Sequence, residues 1–248
     1  MSAAASRYVY GILAASARVP SRTGIGDAPL ELVASDGIAA LVSDVPAGDL
    51  RMGRDAMTAH ARVLEQAHSA GTVLPMRFGV VMAGDSAIQT ELLDPHRDEL
   101  VAQLAEFEGK AELKLRGTYE EDALLREVVR EDQDIARLRE SLRGAPEDAT
   151  YYGRIQLGEL IARAIERKRE VDGREMLEPL TPLALAVDIA EPTHERVVLS
   201  ASFLVEEGRI EEFDEEVDLI GRAQADRIRL KYTGPLPPHS FVHFAAEV

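Results

Sequence analysis

The sequence predicts an α+β protein of two domains, each an antiparallel sheet backed by helices. Three observations predict it. Alternating strands and helix-period apolar stripes occur in both halves, without the regular β-then-α succession that builds a parallel sheet. The stretch GAPEDAT (144–150) interrupts helical sequence near the middle. The 248 residues exceed one ordinary domain and suffice to bury a real core. The expected boundaries are an N-terminal domain over 1–143, a hinge over 144–150, a C-terminal domain over 151–234 and a proline-rich strap over 235–248.

The elements follow in order. YVYGIL (8–13) is a strand, and LELVASDGIAALVSDV (30–45) is two strands around a Ser-Asp-Gly turn in which Gly37 takes a positive φ. Residues 54–70 form a helix with Met57, Ala61, Leu64 and Ala67 as its apolar stripe, closed by Gly71. TVLPMRFGVV (72–81) is extended; Asp85 caps one short helix and Asp94-Pro95 starts another. AELKLRGTY (111–119) alternates Leu113 and Leu115 against Lys114 and Arg116, the pattern of a half-buried strand. A long helix covers 120–143, and YYGRIQLGELIARAIERKRE resumes as helix after the break. Pro179 and Pro182 limit a shorter helical piece. RVVLSASFLV, apolar on both faces, is a central strand; 209–224 is a helix; DRIRLKYT (226–233) alternates again. The strands at 111–121 and 226–236 share an arrangement, which suggests matching positions in two similar units.

Composition excludes several functions. The chain is 46% hydrophobic and 29% charged, a globular balance, and it has no cysteine, so neither a disulfide nor a thiolate metal site can form. Its formal net charge of −16 repels phosphate backbones and anionic lipid, which argues against nucleic acid or membrane as a partner. No apolar run reaches membrane-spanning length, and the opening MSAAASRYVYGILAASA reads as a first strand rather than a signal peptide. Lack of cysteine and of targeting sequence fits the cytoplasm.

Catalytic patterns are poor. The six histidines are scattered; His60 and His68 stand eight apart on a helix, too far for a metal-ligand pair, and prolines precede His239 and His243. Carboxylate runs on amphipathic helices read as solvated faces. GIGDAP (24–29) lacks the rest of a phosphate loop, and no nucleophile elbow is present. No catalytic residue, cofactor or metal site is expected.

Two segments stand out for shape. In GTVLPMRFGVV, Pro75 removes a ladder donor, so the strand lies at a sheet edge or ends there. Arg77 is the lone cation among apolar neighbours, either an ion pair bracing two elements or an interface anchor. In RLKYTGPLPPHSFV (229–242), three prolines hold the backbone extended at little entropic cost, so Phe241 and Phe244 can fill pockets on the protein's own body. A recognition peptide for another protein is the competing reading.

The same two segments resemble the gas vesicle protein GvpF/GvpL family. GTVLPMRFG (71–79) is similar to its G-T-x-L-P-x-R-F-G signature, and YTGPLPPHSFV (232–242) to its Y-T-G-P-W-P-P-Y-x-F-V ending. RYVYGIL, YYGRIQLGELIARAIERKR, PLTPLALAV, ERVVLSASFLVE and EEFDEEVDLI follow the family's course, so the resemblance spans nearly the whole chain. Leu236 replaces the usual Trp and His239 the usual Tyr, which places any contact made by those aromatics in question. The motif positions carried over are Pro75, Arg77, Phe78, Gly234, Pro235, Pro237, Pro238, Phe241 and Val242.

The resemblance implies a two-domain α+β fold with ferredoxin-like elements and a helical segment between the domains, and no enzyme activity. It implies a gas vesicle accessory or minor component, located in the cytoplasm and at the vesicle. Such a component associates with the hydrophobic main shell protein and with other accessory proteins, assisting nucleation and assembly and preventing aggregation. Physical chemistry agrees, because apolar, β-rich shell subunits are aggregation-prone before they assemble. The alternative within the family is a structural lining of the gas-facing wall. From another class, a small α+β enzyme would require a pocket with converging polar groups.

Overall fold

The computed structural model describes residues 6–45, 53–144 and 146–244. Of the expected hinge and strap, Ala145 and residues 245–248 lie outside the described residues. The chain forms two compact units. The first runs to Glu112 and takes in the chain again from Pro235; the second is Leu113–Gly234.

The first unit opens with β1 (Arg7–Ala14), a 3-10 turn at Ile25–Asp27, β2 (Leu30–Ser35) and β3 (Ile38–Asp44). The β2–β3 turn places Asp36 and Gly37 at φ 38° and 92°, as the Ser-Asp-Gly sequence demands. Then come α1 (Arg54–Ala70), the two-residue strands β4 (Leu74–Pro75) and β5 (Val81–Met82), α2 (Asp85–Ala87) and α3 (Asp94–Glu106). The two short helices expected after Asp85 are one helical run, because a π-helical stretch, Ile88–Leu93, joins α2 to α3. Strand order is β2-β3-β1-β4, with β5 also on β1. Pro75 lies opposite Gly11 in an edge strand, where its missing N–H breaks no ladder. Gly11 is needed at that crossing: a Cβ there would stand 2.8 Å from the Leu74 carbonyl oxygen and 2.9 Å from Val73 Cγ2.

The buried face of α1 is Ala56, His60, Val63, Leu64 and Ala67, while Met57 is 55% exposed. The stripe read from the sequence is therefore rotated, and the rotation carries His60 into the core.

In the second unit β6 (Lys110–Tyr119) leads into α4 (Glu121–Glu131), α5 (Gln133–Ser141) and α6 (Glu147–Leu177). After these come β7 (Ala186–Ile189), β8 (Val197–Glu206), α7 (Ile210–Ala223) and β9 (Ile228–Leu236), in sheet order β7-β8-β6-β9. This is a β-α-β-β-α-β succession in which β8 lies between the two strands that the long helical crossover joins. The long helix expected over 120–143 is interrupted at Asp132. That residue is extended, and its carboxylate accepts the N–H groups of Asp134 and Ile135 at 3.0 and 3.2 Å, capping α5.

Two further expectations change. The break at 144–150 does separate helices, but it falls inside the second unit, because α4, α5 and α6 together form the crossover from β6 to β7. The helical segment thus belongs to that unit rather than lying between domains, and the units divide at 112/113 and 234/235. The similar strands at 111–121 and 226–236 are not counterparts in two units either. They are β6 and β9, neighbours in one sheet.

Candidate functional site

Both segments that stood out in the sequence lie around one buried histidine. On β1, Tyr8 and Tyr10 are two residues apart and so share a face; both are fully buried, and α1 lays His60 against them. The His60 ring stacks on Tyr10 at 5.6 Å and meets Tyr8 and Phe78 edge-on, each at 5.7 Å. It hydrogen-bonds to the Met76 backbone carbonyl, which leaves Nδ1 to accept from the Tyr8 hydroxyl at 3.0 Å. Tyr8 in turn accepts the Gly79 N–H at 3.0 Å. Tyr10 pairs with Ser43 at 3.0 Å and accepts the Ile25 N–H at 2.7 Å.

The titratable groups His60 and Tyr8 of this cluster are held in their uncharged forms. Burial, and then the nearby His239, lower the His60 pKa to about 4, against a smaller opposing pull from the Met76 carbonyl. Burial pushes the Tyr8 hydroxyl up to about 12. At neutral pH both groups are uncharged and fully engaged, which suits bracing rather than proton transfer.

The C-terminal segment is fastened to the same unit. Pro237 and Pro238 are buried, and a tight turn closes where the Phe241 and Val242 N–H groups donate to the Pro238 carbonyl at 3.1 Å. The Ser240 N–H and hydroxyl both donate to the Glu112 carboxylate at 2.7 Å, and Glu112 has no exposed surface. The Gln103 amide grips the His243 backbone twice, donating to its carbonyl at 2.7 Å and accepting its N–H at 3.2 Å.

The motif residues thus fall into two groups. Pro75, Phe78, Pro237, Pro238, Phe241 and Val242 are buried or half-buried in this unit, whereas Arg77, Gly234 and Pro235 are exposed. Arg77 forms no side-chain hydrogen bond or ion pair among the described residues, so the bracing salt bridge is absent there. Sequence reasoning missed His60, Gln103 and Glu112 as the groups that hold the two segments. Only the Tyr8–Tyr10 spacing opposite an amphipathic helix hinted at the first.

A second polar cluster lies in the other unit. The Asp172 carboxylate accepts from the Tyr119 hydroxyl at 2.5 Å and from Arg227 at 2.9 Å, and Arg227 grips Glu127 through two contacts, at 2.7 and 3.0 Å. Lys168 joins Glu127 to Glu131 at 3.0 and 3.1 Å. The Glu127 bond chiefly raises the Arg227 pKa, and burial would raise that of Glu127, but its bonds to Arg227 and Lys168 hold it below the usual carboxylate value. Each charge faces an opposite one, so the network ties α4, α6, β6 and β9 together. A cavity of about 350 Å³ in the first unit is lined mainly by small apolar residues such as Ala14, Ala67, Ala70 and Ala105, with Arg18 and Glu108 its only charged members. It lacks the converging polar groups that catalysis requires.

A family model described as gas vesicle synthesis protein GvpL/GvpF matches residues 6–243. The chain belongs to the GvpL/GvpF family. It is 35% identical over 242 residues to gas vesicle protein F of Streptomyces sp. (strain CB03234), covering 96% of this chain and 99% of the relative. It is 24% identical over 253 residues to gas vesicle protein L1 of Halobacterium salinarum, covering 95% and 89%. The crystal structure of GvpF from Anabaena sp. PCC7120 superposes with a TM-score of 0.84 at 25% identity, over 98% of this chain and 100% of that one. These GvpL/GvpF relatives are named as gas vesicle proteins, not as enzymes. The α+β fold with two antiparallel sheets is the family's.

Proposed function

We propose that this chain is a gas vesicle assembly accessory that binds unassembled shell subunits in the cytoplasm and keeps them from aggregating during nucleation. Family membership over residues 6–243 supports the gas vesicle context and carries the reading. Its surface chemistry supports the accessory role. Exposed apolar side chains, among them Tyr152 at 83%, Leu185 at 53% and Ile189 at 57%, stand on a chain of net charge −16. Such a surface can cover a partner's apolar strand while the surplus charge keeps the complex soluble. The ferredoxin-like second unit, with its ion-pair network around Arg227, serves on this reading as a rigid platform for contact.

The test is co-expression with the main shell protein. A higher soluble fraction of shell protein, with the two co-purifying, is the expected result; equal solubility with no co-purification refutes the role. The chain should also be removed when isolated vesicles are washed. Retention in stoichiometric amounts would point instead to a lining of the wall.

A further inference from the structure

The structure assigns a docking edge to β7: its open side takes one extended apolar strand of a partner that carries a basic residue opposite Asp188. This rests on the role proposed above only for the strand's biological source. The exposed sides of the two sheets differ in how they are protected. On β2, the Gln89 side chain donates to the Ala34 carbonyl at 2.8 Å. The far side of the first sheet is formed by the two-residue strands β4 and β5, with Pro75 in the former. On β9, Arg229, Lys231 and Pro235 are all exposed. β7 has neither lysine nor proline, and Ile189 within it and Leu185 just before it are each more than half exposed.

Its backbone is equally open. Ala190 N–H donates to the Ser200 carbonyl at 2.9 Å, which sets the alternation of the ladder with β8. Ala186 and Asp188 share that orientation, so Val187 and Ile189 turn their N–H and C=O groups to the outer side. Val187 and Ile189 are paired with Phe203 and Ala201, so their side chains continue the apolar face, while Asp188 lies on the opposite face beside Ser202. An added strand would gain ladder bonds at 187 and 189 and apolar cover along one face.

Charge selects the occupant. A second copy would pair Val187 with Ile189, the register that uses both outward residues, and this sets Asp188 directly against Asp188. The exposed Glu191 and Glu195 that follow add to the repulsion. A lysine or arginine in the partner strand turns the same position into an attraction.

Amide exchange on the full chain tests the assignment, with a short peptide of alternating valine and threonine and a central lysine as probe. At about ten times its dissociation constant, exchange at the Val187 and Ile189 amides should slow by about tenfold, since only the free fraction exchanges. Asp188, already bonded to β8, should change little. The exposed-site variant Ile189→Lys should abolish the effect while leaving the fold intact. Asp188→Lys should transfer the preference to a peptide with central glutamate. Absence of protection at 187 and 189, an unchanged preference in Asp188→Lys, or protection without peptide that grows with protein concentration would overturn the docking edge. If co-expressed shell protein binds the chain without protecting these amides, the edge fails and the accessory role stands. If the peptide protects them and shell protein never binds, the edge stands and the accessory role fails.

Discussion

Acid should loosen the first unit through His60. The folded chain holds this ring neutral with a pKa of about 4, whereas the unfolded chain takes up a proton near the ordinary 6.5. A pKa lowered by folding contributes stability that is whole above the unfolded value and is lost as pH falls towards the folded one. The full gap corresponds to about 3 kcal/mol, and roughly 2 kcal/mol of it disappears between pH 7 and pH 5. Native-state exchange at the β1 amides, corrected for the intrinsic pH dependence, would read this as opening about thirtyfold more frequent at pH 5. Acid also acts on the rest of the chain, so the His60 contribution must be separated from a general acid response. The decisive comparison is therefore with His60→Gln, whose amide can still donate to the Met76 carbonyl and accept from Tyr8. That variant should be less stable at pH 7, but its stability should fall by about 2 kcal/mol less between pH 7 and pH 5. Equal pH dependence in the two proteins would refute the assignment of the buried neutral state.

Other perturbations follow from the same contacts. Arg227→Met strips Asp172 and Glu127 of their shared cation, with Tyr119 and Lys168 remaining as partners; urea unfolding of the second unit should show a loss of about 3 kcal/mol. Gly11→Ala drives a methyl into the Leu74 carbonyl where β1 crosses β4, and should destabilise the first unit by about 1–3 kcal/mol in the same assay. Ser240→Ala removes one of the two donors that Ser240 offers to buried Glu112. Exchange in α3 and at the start of β6 should accelerate by an amount corresponding to about 1–2 kcal/mol.

Much of the fold was legible because its strands and turns rest on local chemistry. The Ser-Asp-Gly turn, the alternation of Leu113 and Leu115 against Lys114 and Arg116, and the doubly apolar β8 each follow from a few neighbouring residues. The failures arose where tertiary partners decide. Nothing local shows that α1 turns Met57 outward and His60 inward, because that rotation is set by two tyrosines far back in the chain. β7 escaped notice since four residues carry no usable period. The unit boundary was misplaced for a related reason: the Gly-Ala-Pro break at 144–146 marks the end of a helix, but which sheet that helix serves depends on strand order. The tail's prolines are plain in the sequence, whereas its fastening by Glu112 and Gln103 had no signal in either segment.

The path of the chain explains why the attachment of the tail takes the form it does. Glu112 and Ser240 are 128 residues apart in sequence, and Gln103 and His243 are 140 apart, so closing those contacts through a flexible chain would be entropically costly. The intervening residues are not flexible, because they constitute the second unit. Its sheet sets β6 beside β9, so Leu113 and Gly234 emerge from adjacent strands. Once that sheet has formed, the return of the chain to the first unit is a short step, and stiff prolines at 235, 237 and 238 further reduce what remains to be ordered. A handful of hydrogen bonds and two buried prolines are then enough to hold the tail, which a flexible linker of the same length would not permit. The proline-rich ending therefore depends on the sheet that precedes it. Weakening the β6–β9 pairing should release the tail even with every one of the residues that fasten it left unchanged.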